Sequence, residues 1–283
     1  MKKRMIEESV FLLLMRISTI VVIGSMLLIV LTILVKGLPA MSIDMITKTP
    51  EGGYYIGKEG GILNAIVGSL VLGILASVLA FVVSLFIVFY INIVLPKDSR
   101  FALAVRFSLD ILFGIPSIVY GAFGFAIMMM LGAQSSLIAA ILVVAALILP
   151  IMCRSIDEVV KLSSFELKEA SYAIGATNLE TGINVIIRQS YPGLITAFLV
   201  AFGRGIGDAA SVLFTGGFSD SLPYSFFKPV ATLPLAIFFQ LATPFPEVQQ
   251  RGYASALILT IIILSVSIIS RLSIKKFYKK IIK

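Results

Sequence analysis

The sequence predicts an all-α membrane protein with six transmembrane helices. Hydrophobic residues make up 59% of its 283 residues and charged residues only 13%, whereas soluble domains carry about 25% charged residues. The charges are also unevenly spaced, because uncharged stretches of the length that crosses a bilayer, roughly 20 residues, recur along the chain. The chain is therefore too apolar for a soluble enzyme.

The residue types that are scarce or missing exclude several kinds of chemistry. The chain contains no histidine, which is the usual proton shuttle at neutral pH and the commonest metal ligand. Cys153 is the only cysteine, so we expect neither an internal disulfide nor a metal site. The net charge of +8 comes from basic residues at the ends of apolar stretches. No basic patch with interleaved aromatic residues occurs, which argues against nucleic-acid binding.

Six apolar spans are predicted in chain order. They are 17–35, one crossing within 62–95, two crossings within 111–153, then 192–214 and 252–270. The third and fourth spans are separated at 132–136, where small and polar residues suit a turn. The fifth is expected to start near Pro192, a residue that favours the first turn of a helix. The first span is longer than the apolar core of a cleaved signal peptide, which has about 7–15 residues. It is therefore expected to remain in the protein as an uncleaved transmembrane helix.

The spans suggest two parts. Residues 1–61 are predicted to form an N-terminal helix and an external loop, and residues 62–283 a transmembrane core. Within the core, 154–190 is a polar loop and 215–251 is a proline-rich segment. The apolar stretch 230–242 of that segment is too short to cross a bilayer, so a re-entrant or interfacial hairpin is expected there.

The basic residues orient the chain in the membrane. With six spans both termini share one side, which holds seventeen basic residues against five on the other. Basic residues accumulate on the cytoplasmic side. The termini and the loop 154–190 are therefore predicted to be cytoplasmic, and the segment 215–251 external. The five basic residues on the external side are Lys36, Lys48, Lys58, Lys228 and Arg251.

Arg204 and Asp208 are charged residues inside the fifth predicted span. Because they are four residues apart, we expect them on one face of a helix. Each charge costs about 2.5–3.5 kcal/mol at the bilayer centre, so such residues usually line a polar pathway; a structural ion pair between helices is the alternative. The neighbouring Gly203, Gly205 and Gly207 allow a solute or a second backbone to approach closely. Arginine favours an oxyanion, because its planar fork binds carboxylate, sulfate or phosphate through two hydrogen bonds.

Two more charged residues lie at predicted membrane edges. Arg154, at the inner end of the fourth span, is either a second anion-binding group or, more simply, an orientation anchor. Asp110, near the start of the third span, is predicted to pair with Arg106 four residues earlier.

The polar loop 154–190 contains a candidate docking element. Residues 165–174 are predicted to form a short helix, and Gly175 supplies the turn after it. Ala170 and Ser171 are small enough for this helix to fit a groove in a partner, although a helix resting on the membrane surface fits the spacing equally well. The chain has no Gly-x-x-x-x-Gly-Lys-Ser/Thr phosphate loop. If ATP hydrolysis drives the protein, a partner subunit must therefore carry it out.

The loop and the fifth span together resemble a known family. The stretch 169–187, which opens with Glu169-Ala170-Ser171 and contains Gly175, resembles the "EAA" loop by which ABC-importer permeases dock their ATPase. More narrowly, the chain is similar to the PstA family of phosphate-uptake permeases over most of its length from about Gly60 onward. The matching segments are 60–62, 116–121, 149–154, 204–215, 229–238 and 244–250.

The resemblance implies a type I ABC importer (MetI-like) permease fold and a permease subunit of an ATP-driven phosphate importer in a bacterial or archaeal cytoplasmic (inner) membrane. It implies a PstC-like second permease, a PstB-like ATPase dimer and a PstS-like external phosphate-binding protein as partners. ATP and Mg would be bound by the ATPase, with no cofactor in this chain. In the family, arginines at the positions of Arg154 and Arg204 are associated with phosphate translocation, and an acid at the position of Asp208 belongs to the same motif. Glu169, Ala170, Ser171 and Gly175 would dock the ATPase.

The sequence departs from the family pattern at a few positions. Asp208 stands where the family usually has Glu, and Ser211 where it usually has Pro. Ser171 replaces the second alanine of the docking triplet, and Arg188 stands where the wider superfamily has Pro.

Three other functions compete with phosphate import. An importer for another oxyanion, such as sulfate or molybdate, fits the same residues. An ion-driven secondary transporter is disfavoured, because one intramembrane Asp without histidine makes a poor proton relay. An intramembrane enzyme is disfavoured because Arg204 and Asp208 supply neither a good base nor a polarised nucleophile.

Overall fold

The structure is a computed structural model that describes residues 2–51, 59–96, 98–163 and 165–281. Lys58, Lys97 and Lys283, which enter the count of basic residues, lie outside the described residues. A two-residue antiparallel ladder pairs β1 (Pro50–Glu51) with β2 (Glu59–Gly60). The helices, in chain order, are α1 (Lys2–Gly37), α2 (Ile43–Thr47), α3 (Leu63–Phe89), α4 (Arg100–Gly114), α5 (Ser117–Met130), α6 (Leu137–Lys161), α7 (Phe165–Ala173), α8 (Asn178–Thr181), α9 (Arg188–Ile206), α10 (Leu233–Leu241) and α11 (Pro246–Ile281).

The long apolar helices confirm the predicted all-α membrane fold. Within the described ranges, five helices are long and apolar enough to cross a membrane, or six if the bent pair α4–α5 counts as one span. α3 continues into a π-helical turn at Tyr90–Val94, and a second π-helical turn at Gly182–Ile187 leads into α9. The turn expected at 132–136 is confirmed, because α5 ends at Met130 and α6 begins at Leu137.

The third span differs from the prediction. It is built from α4 and α5, which meet at an angle of 98°, and α4 already begins at Arg100. The predicted start of the third span, near residue 111, is therefore wrong. The bend follows from Pro116, which has no N–H for a helical hydrogen bond and keeps the preceding residue out of the helical region. Ile115 accordingly has φ −73° and ψ 130°.

The core is organised around α6. Its first turn is capped by Ser136, whose side chain accepts a hydrogen bond from the Ala139 N–H. Apolar side chains then recur every four residues on one buried face, at Val144, Ile148, Met152 and Ile156. This face packs against α3 and α9. α3 contributes small buried residues to the contact, including Ala76, Ala80 and Ser84, and small residues let helices approach closely within a membrane.

Two further apolar elements are α1 and α10. α1 packs against α11. None of the residues in the most apolar 18-residue stretch of α1 is buried. The stretch 230–242 contains α10, a helix of 9 residues that is too short to cross a bilayer. α10 packs against α11 and α3.

Gly68 on α3 is required for the close approach of the chain before α10. A Cβ at this position would overlap the carbonyl oxygen of Ala231 and approach the Val230 side chain at 2.8 Å. We expect Gly68→Ala to cost about 1–3 kcal/mol of stability, the usual range for overpacking, and to lower the unfolding temperature in detergent. Gly24→Ala on α1 is the matched control, because the Cβ that this substitution adds would have no atom of another residue within 4 Å. An unfolding temperature of the Gly68 variant equal to that of the control would contradict this packing.

Candidate functional site

Arg204 lies in the last turn of α9 and is exposed on the outside of the chain. The opposite face of α9 is buried against α6. A Cβ added to the adjacent Gly205 would lie 3.2 Å from the side chain of Val144 and 3.5 Å from that of Ile148. Those two residues lie about 10 and 16 Å along α6 from its start, at 1.5 Å per residue. Arg204 is therefore within the depth of the apolar spans. Among the described residues, none forms a hydrogen bond or an ion pair with its guanidinium.

An irregular segment follows Arg204 inside the bundle. Residues 207–217 form turns rather than a continued helix, and the Ser136 N–H at the start of α6 donates to the Thr215 carbonyl at 2.9 Å. Non-helical backbone at membrane depth is tolerated only where it is buried in protein or lines a water-filled cavity. Gly207 is exposed next to Arg204. The exposed surface at Arg204 and Gly207 therefore fits a polar cavity better than lipid.

Asp208 does not share a helical face with Arg204, and this prediction is wrong. The helix ends at Ile206, two residues before Asp208. The Oδ2 atom of Asp208 instead accepts hydrogen bonds from the N–H of Ser211, at 2.8 Å, and from its hydroxyl. This is the geometry of a carboxylate that caps the turn after it. The sequence did contain a signal for the end of the helix here. Gly207 is followed by Asp208, and Ser211 lies three residues after that aspartate. The end that we predicted for the fifth span, near residue 214, is wrong for the same reason.

Arg154 is an exposed residue of α6 and is already paired within the chain. Its guanidinium forms an ion pair with Asp110 of α4, and its Nε lies 3.6 Å from a carboxylate oxygen of Glu158. The predicted pair between Asp110 and Arg106 is therefore wrong. Arg154 and Arg204 lie on different helices, α6 and α9, which pack together.

A buried polar cluster that the sequence did not reveal joins α4, α6 and the π-helical turn after α3. Asp157 on α6 is buried and accepts hydrogen bonds from Arg106 of α4, at 3.0 and 3.1 Å, and from Asn92 after α3, at 2.7 Å. Lys161 binds the same carboxylate from one turn further along α6. Arg106 also donates to the Asn92 side-chain oxygen at 3.0 Å. Among these contacts only that between Asp157 and Lys161, four residues apart, could have been expected from local spacing.

The predicted docking element forms a short exposed helix. α7 covers Phe165–Ala173, and Gly175 after it has φ +86°, a left-handed conformation that favours glycine. Glu169 and Ala170 are exposed. Ser171 is buried, and its hydroxyl lies 2.9 Å from that of Thr181 in α8. Ser171 therefore holds α7 against its own loop, while Glu169 and Ala170 remain accessible.

These features define a multi-pass membrane protein with a charged group in its bundle and a short exposed helix, α7, in the loop between α6 and α9. The chain belongs to the family of binding-protein-dependent transport system inner membrane components, whose model matches residues 93–283. Members of this family are components of transport systems. The chain is therefore a permease that works in a complex with other subunits.

Curated relatives narrow this family assignment. The phosphate transport system permease protein PstA of Haemophilus influenzae is 30% identical over 261 residues, which cover 90% of this chain and 89% of that protein. The protein of the same name from Xylella fastidiosa is 32% identical over 246 residues, with 85% and 83% covered. The predicted resemblance to PstA-type permeases is confirmed.

The fold is also found in solved structures. A chain of the MetNI methionine ABC transporter in an inward-facing conformation superposes with a TM-score of 0.63 over 76% of this chain and 94% of that chain, at 17% identity. At this identity the likeness shows the fold alone. It confirms the predicted MetI-like permease fold.

Proposed function

We propose that this chain is the transmembrane permease subunit of an ATP-driven importer of inorganic phosphate. The observation that carries the proposal is the exposed guanidinium of Arg204, unpaired among the described residues, beside the irregular segment 207–217 at the depth of the apolar spans. An uncompensated charge at that depth is costly in lipid and is usually retained for a solute. The relatives named as phosphate permeases support phosphate as this solute.

The polar pathway is shared with a second permease. Arg204 and Gly207 are exposed on the surface of this chain, so a second subunit must cover them to close a channel through the bilayer. Arg204 binds a phosphate ion through its planar fork. A PstC-like permease, which supplies the other wall, fits this requirement.

Arg154 forms a second binding site for the anion, on the cytoplasmic side. Its guanidinium is exposed and is held by the exposed carboxylate of Asp110, a contact that contributes little in water. A phosphate ion that arrives from Arg204 therefore competes with Asp110 for Arg154. Asp208 acts indirectly, because its carboxylate caps the turn through Ser211 and shapes the irregular segment.

Energy reaches the pathway through the docking loop. The chain has no phosphate-loop motif, and we assign ATP and Mg binding to a PstB-like ATPase dimer that contacts α7 at Glu169 and Ala170, with Ser171 and Gly175 shaping the loop. Both termini and the loop 154–190 are cytoplasmic in this proposal. The external segment 215–251 faces a PstS-like phosphate-binding protein, and residues 1–61 supply the N-terminal helix and an external loop that precede the core at 62–283.

Reconstitution tests the proposed function. The chain, purified from its native membrane in mild detergent, is expected to bring along an ATPase subunit and a second permease. Proteoliposomes of that complex with the external binding protein should accumulate radioactive phosphate only with ATP and Mg. Excess unlabelled sulfate or molybdate should not compete. Competition by either anion would favour an importer of that oxyanion, and uptake by this chain without nucleotide would contradict the proposal.

The accessible side of α7 should be sensitive to bulk. Ala170→Trp adds an indole to an exposed position at which a groove in the ATPase must close over the helix. We expect at least about tenfold less ATPase subunit to co-purify, with the permease still inserted in the membrane. Ala133→Trp, at an exposed alanine between α5 and α6, is the matched control and should leave the yield of ATPase unchanged. Equal yields from the two variants would remove α7 from the interface.

A further inference from the structure

A charged pocket lies beside the docking helix and shares Ile91, Arg106 and Lys161 with the neighbouring cavity that contains Arg154. It has a volume of about 370 Å³ and is lined by Arg106, Lys161, Ser163 and Lys168 together with Asn92. These residues come from α4, the end of α6, α7 and the turn after α3. Ile91 and Leu95 add two apolar side chains to the lining. The pocket therefore combines basic and polar groups with apolar ones.

The described residues that line this pocket are rich in positive charge. Arg106 and Lys161 share a single carboxylate, that of Asp157, so this trio has a net charge of one positive unit. Arg106 uses Nε and Nη2 for Asp157 and Asn92, and its Nη1 makes no hydrogen bond with the described residues. Lys168 brings a third cation to the lining. No acidic residue is among the described residues that line the pocket.

We propose that this pocket binds a phosphate group, namely that of an anionic phospholipid headgroup in the cytoplasmic leaflet. A phosphate group offers several oxygens that can accept hydrogen bonds from an arginine and from lysines at once. Basic pockets between helices on the cytoplasmic side of membrane proteins bind such headgroups. The apolar side chains of Ile91 and Leu95 can contact the start of an acyl chain. Free inorganic phosphate has the same recognition chemistry and is the other source to be tested.

Binding at this pocket ties the docking helix to the membrane core. Lys168 belongs to α7 and Lys161 to the last turn of α6, so a phosphate group between them bridges the two helices. The bridge slows local opening of the stretch 161–175. The inference does not depend on phosphate import, because it needs only the cytoplasmic placement of this end of the bundle.

Hydrogen–deuterium exchange of 161–175 tests this binding in the full-length chain in nanodiscs. We expect phosphatidylglycerol nanodiscs to slow exchange at least about fivefold relative to phosphatidylcholine nanodiscs. The double variant Lys161→Gln/Lys168→Gln should lose this ratio, whereas Lys228→Gln at the other end of the bundle should keep it. Each variant is compared with itself in the two lipids, so a change in the intrinsic stability of α7 cancels.

A second arm identifies the source of the phosphate group. Inorganic phosphate is added to the chain in phosphatidylcholine nanodiscs. Slowed exchange that the double variant abolishes would keep the pocket as a phosphate site and assign it to the free ion. The proposal is overturned if neither probe slows exchange in the wild-type chain, or if the double variant is protected as strongly as the wild type. Either result leaves ATP-dependent phosphate uptake, the test of the proposed function, unaffected.

Discussion

Arg204→Ala is expected to lower ATP-dependent phosphate uptake by at least about 100-fold while the permease still inserts and assembles. The guanidinium is exposed within the depth of the apolar spans and carries no partner among the described residues. Hydrogen bonds to charged groups contribute about 1.5–3 kcal/mol each, and a bidentate contact loses two of them. The helix itself should tolerate alanine, the residue with the highest helix propensity.

Two further variants separate charge from geometry at this position. Arg204→Lys keeps the positive charge but loses the planar fork, so uptake should be intermediate between wild type and alanine. Arg100→Ala, at an exposed arginine that begins α4, controls for the loss of one positive charge and should retain uptake. Uptake is measured with radioactive phosphate in proteoliposomes, alongside co-purification of the ATPase. Uptake by Arg204→Ala within twofold of the wild type would remove Arg204 from the pathway.

The sequence predicted the long helices well because hydropathy alone determines them. A helix satisfies all its backbone hydrogen bonds internally, which an apolar stretch requires in lipid. The helices of the second, fourth and sixth spans accordingly cover the predicted stretches. The bend between α4 and α5 was missed because a proline in an apolar run is compatible with a kinked helix as well as with a break. The composition of the run does not distinguish the two.

The sequence singled out Arg204 but did not predict the geometry around it. Arg204 stood out as a charge in an apolar stretch, whereas the end of α9 at Ile206 was missed because the apolar composition continues to Phe214. Local spacing suggested Asp110 with Arg106, but each residue pairs with α6 instead. Pairing between helices depends on their relative rotation and register. These come from packing of the whole bundle and not from a single stretch of sequence.

Asp157→Ala is expected to destabilise the contact of α6 with α4 and the turn after α3 by about 3–5 kcal/mol, the usual cost of removing one partner from a buried ion pair. The substitution leaves Arg106 with 25% of its side chain exposed and without its carboxylate, and it leaves the Asn92 amide without an acceptor on α6. At roughly 2–4 °C per kcal/mol for a chain of this size class, the unfolding temperature in detergent should fall by about 10 °C.

The neighbouring residue provides the control for this prediction. Glu158 pairs at 3.6 Å with Arg154, and the side chains of both are more than half exposed; exposed pairs contribute about 0–1 kcal/mol. Glu158→Ala should therefore shift the unfolding temperature by only a few degrees. Replacing both members of the more buried pair, Arg106→Met with Asp157→Met, should recover part of the loss, because no arginine is then left buried without its carboxylate, while Lys161, which also loses this partner, is half exposed. Equal unfolding temperatures for Asp157→Ala and Glu158→Ala would show that the cluster does not hold α4 to α6, since only a carboxylate that compensates buried cations makes the two adjacent positions differ.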